Sequence, residues 1–316
     1  MSTLLLTHPV CIEHEPPEGH PERPDRLRAI DKILANPHFD ALEREEAPEG
    51  LREHVLLAHP EDYVARIEQA VPEEGLERID EDTWMSPKSL EAAMRAVGAS
   101  TRAVDAVFAG EADNAFCAVR PPGHHAEAAR AMGFCLFSNA AIAALYANRV
   151  HGAARVAVID FDVHHGNGTQ DIFWSLPDAF YASTHEAPLF PGTGAMTETG
   201  VGNIVNAPLR AGDGSDHFRE AMLSRVLPAA DAFEPDFVIV SAGFDAHSRD
   251  PLASLNLTEE DFVWITLQLM ELAYKHADGR LISVLEGGYD LRSLASSVGC
   301  HIQALIHGSG GGWEID

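Results

Sequence analysis

The chain is poor in cysteine, with four in 316 residues. Cys11, Cys117, Cys135 and Cys300 are widely spaced and form no C-x-x-C pair. That argues against a disulfide framework and predicts reduced, buried thiols. Long apolar runs are missing as well. Nothing approaches the ~18 residues that span a bilayer. The start, MSTLLLTHPV, lacks the basic and apolar regions of a signal peptide. A soluble cytoplasmic protein without a membrane partner is expected. Positive charge is scarce, 22 Lys and Arg against 49 Asp and Glu, a formal net charge of −27. Phosphate binding needs a basic face, so no nucleic-acid partner is expected. Several nucleotide and hydrolase motifs are absent too. The Gly-rich GTGAMTETGVG (192–202) lacks the G-K-[ST] of a P-loop, no G-x-G-x-x-G opens a helix, and no G-x-S-x-G elbow occurs.

What is present suits a globular protein: 46 % apolar and 22 % charged residues, with 25 Gly and 19 Pro. No repeat or low-complexity linker divides it. Residues 11–91 carry 22 acidic and 9 basic side chains, a local net of 9 − 22 = −13. We expect a single domain over 1–307 and a flexible Gly-rich tail over 308–316. Short apolar runs recur, each followed by a polar turn: Leu4–Leu6, Phe116–Val119, Val156–Phe161, Phe180–Ser183, Phe237–Ser241 and Leu281–Leu285. Without polar alternation, such runs fit strands buried on both faces of a parallel sheet. Helical patterns lie between them at 23–36, 86–109, 137–150, 215–233, 258–277 and 290–307. Ser86-Pro87 reads as a cap and first-turn pair. The alternation predicts an α/β domain, in which ligands bind beyond the carboxyl ends of the strands.

Four of those turns hold unusual chemistry: His124-His125; Asp160, Asp162, His164, His165 and Asn167; Asp245 and His247; Glu286 and Tyr289. Asp162 and His164, two residues apart where a strand ends, point to one side and can share a cation. Asp245 can supply a third ligand from another strand end. Two carboxylates and one imidazole suit Zn²⁺ or Fe²⁺ and leave positions open for water and substrate. The tandem histidines, held by Arg120-Pro121-Pro122-Gly123, can act as a base and an acid or electrostatic partner. Asp160 and Asn167 are available to orient them. Tyr289 can donate to an oxyanion. His8, His54, His59 and His301 have no partner pattern and are read as structural or solvated.

The segments GHPERPDRL (19–27), RPPGHHA (120–126), GFCLFSNAA (133–141), VIDFDVHHGNGTQ (158–170), FPGTG (190–194), SAGFDAH (241–247) and LEGGY (285–289) resemble, in order, those of the zinc-dependent histone deacetylases and the related acetylpolyamine amidohydrolases. The resemblance covers nearly the whole chain. It implies one arginase-deacetylase-like α/β/α domain with a central, mostly parallel sheet of about eight strands. It implies one zinc ion on Asp162, His164 and Asp245, with His125 as general base and acid and His124 as electrostatic partner backed by Asp160. Tyr289 would polarise the scissile carbonyl. Gly133, Phe134 and Phe190 would line the acyl-lysine channel. A structural potassium would sit by Asp160, Asp162, His164 and Ser183, partly on backbone oxygens, and a second around Phe173.

Asn167 and LEGGY resemble the class II branch. A neutral Asn behind His125 should leave it less basic than an Asp would. Leu252 falls where polyamine-selective relatives carry a gatekeeping Glu, and DTWMSPKSLEAAMRAVG (82–98) also looks more like the deacetylase branch. The expected reaction is hydrolysis of an acetyl amide to acetate and a free amine, on acetylated lysine peptides or on small acetylated amines. An arginase-like enzyme would need a second metal, and a non-catalytic acyl-lysine reader would lack Tyr289 or a ligand. Glu13, Glu15 and Glu18 are expected on the channel rim. The sequence leaves the oligomeric state open, a homo-oligomer included.

Overall fold

The computed structural model describes residues 1–308; most of the expected tail, 309–316, lies outside the described residues. Its centre is an eight-stranded sheet in which every pairing is parallel. The strands are β1 (Thr3–Thr7), β2 (Leu42–Glu46), β5 (Asn114–Cys117), β6 (Val156–Asp160), β7 (Ala179–Glu186), β8 (Ile204–Leu209), β9 (Phe237–Ala242) and β10 (Leu281–Leu285), in the order β2-β1-β5-β10-β9-β6-β7-β8. A two-stranded hairpin, β3 (Glu77–Arg78) with β4 (Trp84–Met85), stands apart.

The six interior strands are the six apolar runs. All five residues of VAVID and of LISVL are buried. The two edge strands escape that reading for a physical reason. β2 is LEREE, and β8 is IVNAPL with Pro208 inside it. An edge pairs on one side only, so it tolerates charge and proline, which also deter pairing with other chains.

The helices follow from handedness. Parallel crossovers are right-handed. Connections stepping one way along the sheet, through α2 (Asp25–Leu34), α9 (Leu227–Phe233) and α10 (Glu259–His276), therefore lie on one face. Those stepping the other way, through α5 (Ser89–Phe108), α6 (Asn139–His151) and α7 (Asn167–Phe173), lie on the other. The packing agrees: α2 and α10 both rest on the last helix, α11 (Leu291–His307), while α5 rests on α6. Short helices α1 (Val10–Glu13), α3 (Arg52–Val55), α4 (Glu61–Gln69) and α8 (Ser215–Ala221) complete the set. The architecture is thus α/β/α.

Two local expectations change. The 215–233 segment is interrupted by a π-helical turn, Met222–Val226. Ser86 does not cap α5, whose N-cap is Lys88; the Ser86 N–H instead donates to Ser89 Oγ at 2.7 Å. Thr258 does cap α10, in a capping box with Asp261. Among the described residues, no helix is long and apolar enough to cross a membrane.

The chain crosses the middle of α5 so closely that Gly98 has no room for a side chain. A Cβ there would stand 1.9 Å from Pro48 O and 2.7 Å from Gly50 N. Gly98→Ala is expected to lower the unfolding free energy by about 1–3 kcal/mol. Denaturant midpoints at unchanged m would report it. An unchanged midpoint would show that segment 48–50 can lift away freely.

Candidate active site

Strands β5, β10, β9 and β6 are neighbours, so the four turns rich in chemistry meet at one end of the sheet. Asp162, His164 and Asp245 are buried, and one ligand atom of each lies within 4.8 Å of the others. His164 Nδ1 is 3.1 Å from Asp162 Oδ1 and 3.2 Å from Asp245 Oδ2. Backbone donors fix the carboxylates: His164 N–H on Asp162 Oδ1 and Gly287 N–H on Asp162 Oδ2, both at 2.8 Å, and Val163 N–H on Asp245 Oδ1 at 2.9 Å. The flanking turns must carry glycine here. A Cβ on Gly287 would stand 2.0 Å from Asp245 Oδ2, and one on Gly243 would stand 2.0 Å from Asp162 Oδ2.

Burial and the Asp162 charge push Asp245 up to about 7. His164 is pushed up to about 10, since its two carboxylate neighbours outweigh its burial. Two buried carboxylates facing one imidazole thus hold a proton where a divalent cation fits better, and the donor set suits zinc.

The tandem histidines stand beside this group, their rings 4.0 Å apart. His124 Nδ1 lies 3.0 Å from Asp160 Oδ2, which also accepts from the Tyr181 hydroxyl at 3.0 Å. His125 Nδ1 lies 2.9 Å from Asn167 Oδ1. Burial opposes the charge on both rings. The Asp162, Asp160 and Glu286 carboxylates nevertheless push His124 up to about 10. His125 has no such surplus; burial and the His124 charge hold it well below the ordinary histidine value.

The wall of the site is aromatic. Gly133 has φ +57°, and a Cβ on it would stand 2.4 Å from the His125 ring. Phe134 (φ +69°) meets His20 at 4.6 Å and Tyr289 at 6.0 Å between ring centroids. The Phe190 ring is 5.0 Å from His125 and 6.3 Å from His164. Leu252 is half-buried on the loop after Asp245. Ser183, fully buried, pairs in register with Asp160, and its Oγ lies 2.9 Å from His185 Nδ1. Phe173 O accepts from Asn203 Nδ2 at 2.9 Å. Glu13, Glu15 and Glu18 are exposed on the segment leading to His20. His59 and His301 are buried and internally bonded, to Ala128 O and Ser138 N–H, and to the Thr266 and Ser283 hydroxyls.

Sequence reasoning missed the groups that hold these turns in place. Glu286, noted without a role, accepts the N–H groups of Gly123 (2.7 Å) and His124 (3.1 Å). Arg26, fully buried, donates to Gly288 O at 2.7 Å and to Glu286 O, and its guanidinium lies 4.9 Å from the Tyr289 ring centroid. Glu22 joins Arg26 to Arg120. Asp250 accepts from Tyr289 N–H at 2.7 Å and from Leu252 N–H at 3.0 Å. A Glu-x₃-Arg spacing at 22–26, one residue before the apolar helix face, was the available signal for the first pair.

A profile of the histone deacetylase domain matches residues 20–305. The chain is 41 % identical to the histone deacetylase-like amidohydrolase of Pseudomonas aeruginosa, over 90 % of this chain and 77 % of that protein. It is 36 % identical to a probable deacetylase of Archaeoglobus fulgidus, over 98 % and 87 %. Against type-2 histone deacetylase 2 of Dictyostelium discoideum it is 35 % identical over 96 % of its own length but spans only 21 % of that protein. A crystal structure of the HDA15 HD domain superposes with a TM-score of 0.92 at 37 % identity, covering 98 % of this chain and 89 % of that one. By fold, motif order and sequence, the chain belongs to the histone deacetylase family.

Proposed function

We propose that residues 1–307 form a zinc-dependent deacetylase that hydrolyses the acetylated ε-amine of lysine in peptides or proteins, releasing acetate. The observation that carries this reading is the buried Asp162, His164, Asp245 group beside the tandem histidines and beneath an aromatic wall. One zinc ion held by these three residues would polarise the acetyl carbonyl and acidify the attacking water. His125, neutral and with Nε2 free to accept, takes the proton and later returns it to the leaving amine. His124, held as a cation by Asp160, steadies the charge that builds on the reacting carbonyl. Tyr289 donates its hydroxyl to the same oxygen. Phe134, Gly133 and Phe190 enclose the apolar stem of the lysine, with Leu252 at the mouth.

Asp160, Asp162, His164 and Ser183 would hold a structural potassium, and the backbone around Phe173 a second. Leu252, apolar where a gatekeeping Glu would select polyamines, favours peptides over small acetylated amines. Four free thiols suit a reducing compartment such as the cytoplasm.

Tyr289→Phe deletes one hydroxyl and nothing that holds the fold. Turnover of an acetyl-lysine peptide is expected to fall by ~10²–10³, with metal content and thermal midpoint unchanged. Near-normal kcat would make the GGY turn merely structural. The acidic segment supplies a second test. At low ionic strength kcat/KM should be higher for a cationic than for a neutral acetyl-lysine peptide, and the advantage should shrink with salt. Changing Glu13, Glu15 and Glu18 together to Gln should remove it. An advantage that survives the triple change would assign the charge to the surface at large.

A further inference from the structure

The two nitrogens of the His125 ring are not equivalent, and the group that decides between them lies two residues further along the chain. Asn167 presents an amide to Nδ1. An amide can offer either its oxygen or its NH₂ group, since both ends have one shape. Here the far end settles the matter: Asn167 Nδ2 lies 2.8 Å from Glu127 Oε1. A carboxylate only accepts, so the NH₂ group must face Glu127 and the oxygen must face His125. That oxygen accepts only from an N–H. Nδ1 therefore carries the proton, and Nε2 keeps its lone pair toward the reaction centre.

The reach from Glu127 to Asn167 is fixed at both ends. Asn167 opens α7, whose Gly168 and Thr169 N–H groups donate to His124 O at 2.9 and 3.2 Å. In return the Ala128 N–H donates to Asp171 Oδ2 at 3.0 Å, and the Glu127 N–H donates to Arg130 O at 3.0 Å. Met132 Sδ, 3.3 Å from Asn167 Nδ2, is a second acceptor on the same side of the amide, but a weak one.

We propose that Glu127 is a positioning residue for the base: it orients the Asn167 amide and, through it, sets the tautomer of His125. The proposal rests on the reading of His125 as that base. Without the carboxylate the amide is free to turn, offering N–H to Nδ1 and placing the ring proton on Nε2, where it blocks proton acceptance. An Asp at 167 would need no such help. Its carboxylate accepts from Nδ1–H whichever way it turns, and a neighbouring Glu would only repel it. Glu127 is thus useful beside Asn and harmful beside Asp.

Six proteins test this: wild type, Glu127→Ala, Glu127→Gln, Asn167→Asp, the Glu127→Ala/Asn167→Asp double variant and His125→Ala, each assayed for kcat and KM on one acetyl-lysine peptide at matched metal content. Glu127→Ala is expected to lower kcat about tenfold with little change in KM, the scale of losing a supporting hydrogen bond behind an active group. In the Asn167→Asp background the same change should raise kcat. Glu127→Gln, whose amide oxygen accepts the same N–H, should retain most of the wild-type rate. Histidine-selective ¹⁵N NMR gives a readout independent of turnover, with the His125 proton on Nδ1 in wild type and on Nε2 in Glu127→Ala. Equal fold losses in both backgrounds, Glu127→Gln as damaging as Glu127→Ala, or an unchanged tautomer would each overturn the proposal. Undiminished turnover in His125→Ala would instead overturn the reading of the base.

Discussion

Four carboxylates, Asp160, Asp162, Asp245 and Glu286, lie wholly out of water at the ends of three adjacent strands. Burying one such ion without compensation costs several kcal/mol, so almost everything nearby exists to answer their charge. Backbone N–H groups of Gly123, His124, Asp162, Val163, His164 and Gly287 point at them. So do the Tyr181 hydroxyl and two imidazoles. Glycines at 243 and 287 let the turns close over them. The His164 imidazole lies between Asp162 and Asp245, and this buried group is where we propose the metal and its chemistry.

A second buried ion cluster supports the first. Glu22 receives the guanidinium groups of Arg26 and Arg120, all three wholly buried. Arg120 starts the turn that carries the tandem histidines, and Arg26 holds the carbonyls on either side of Gly287. Breaking such a cluster by removing one partner typically costs about 3–5 kcal/mol. The segment around residue 22 thereby ties the tandem-histidine turn and the Glu286–Tyr289 turn to each other. Its side chains fix where Tyr289 and His124 stand.

Much of this was legible in the residues. Apolar runs marked the interior strands because a parallel sheet covered on both faces admits little else. Polar turns after those runs marked the site because helices on both faces leave only the strand ends open. The edges β2 and β8 were not legible, since a strand bonded on one side is not obliged to be apolar. Nor were the distant partners of Glu22, Asp250 and Glu127, although the local Glu22–Arg26 spacing was. Their bonds run to residues 98, 39 and 40 positions away along the chain, and no local pattern marks a contact that only the fold creates. Asn167 was recognised as the partner of His125, but an amide has two ends, and what faces the second is a property of packing.

The central claim is that Asp162, His164 and Asp245 hold the one metal ion on which hydrolysis depends. The direct measurement strips the protein with a chelator and titrates zinc back while following acetate release from an acetyl-lysine peptide. The account predicts no turnover in the stripped protein, recovery that saturates at one zinc per chain, and no recovery in Asp245→Asn. Turnover that survives complete stripping, or recovery in Asp245→Asn at the same stoichiometry, would contradict it.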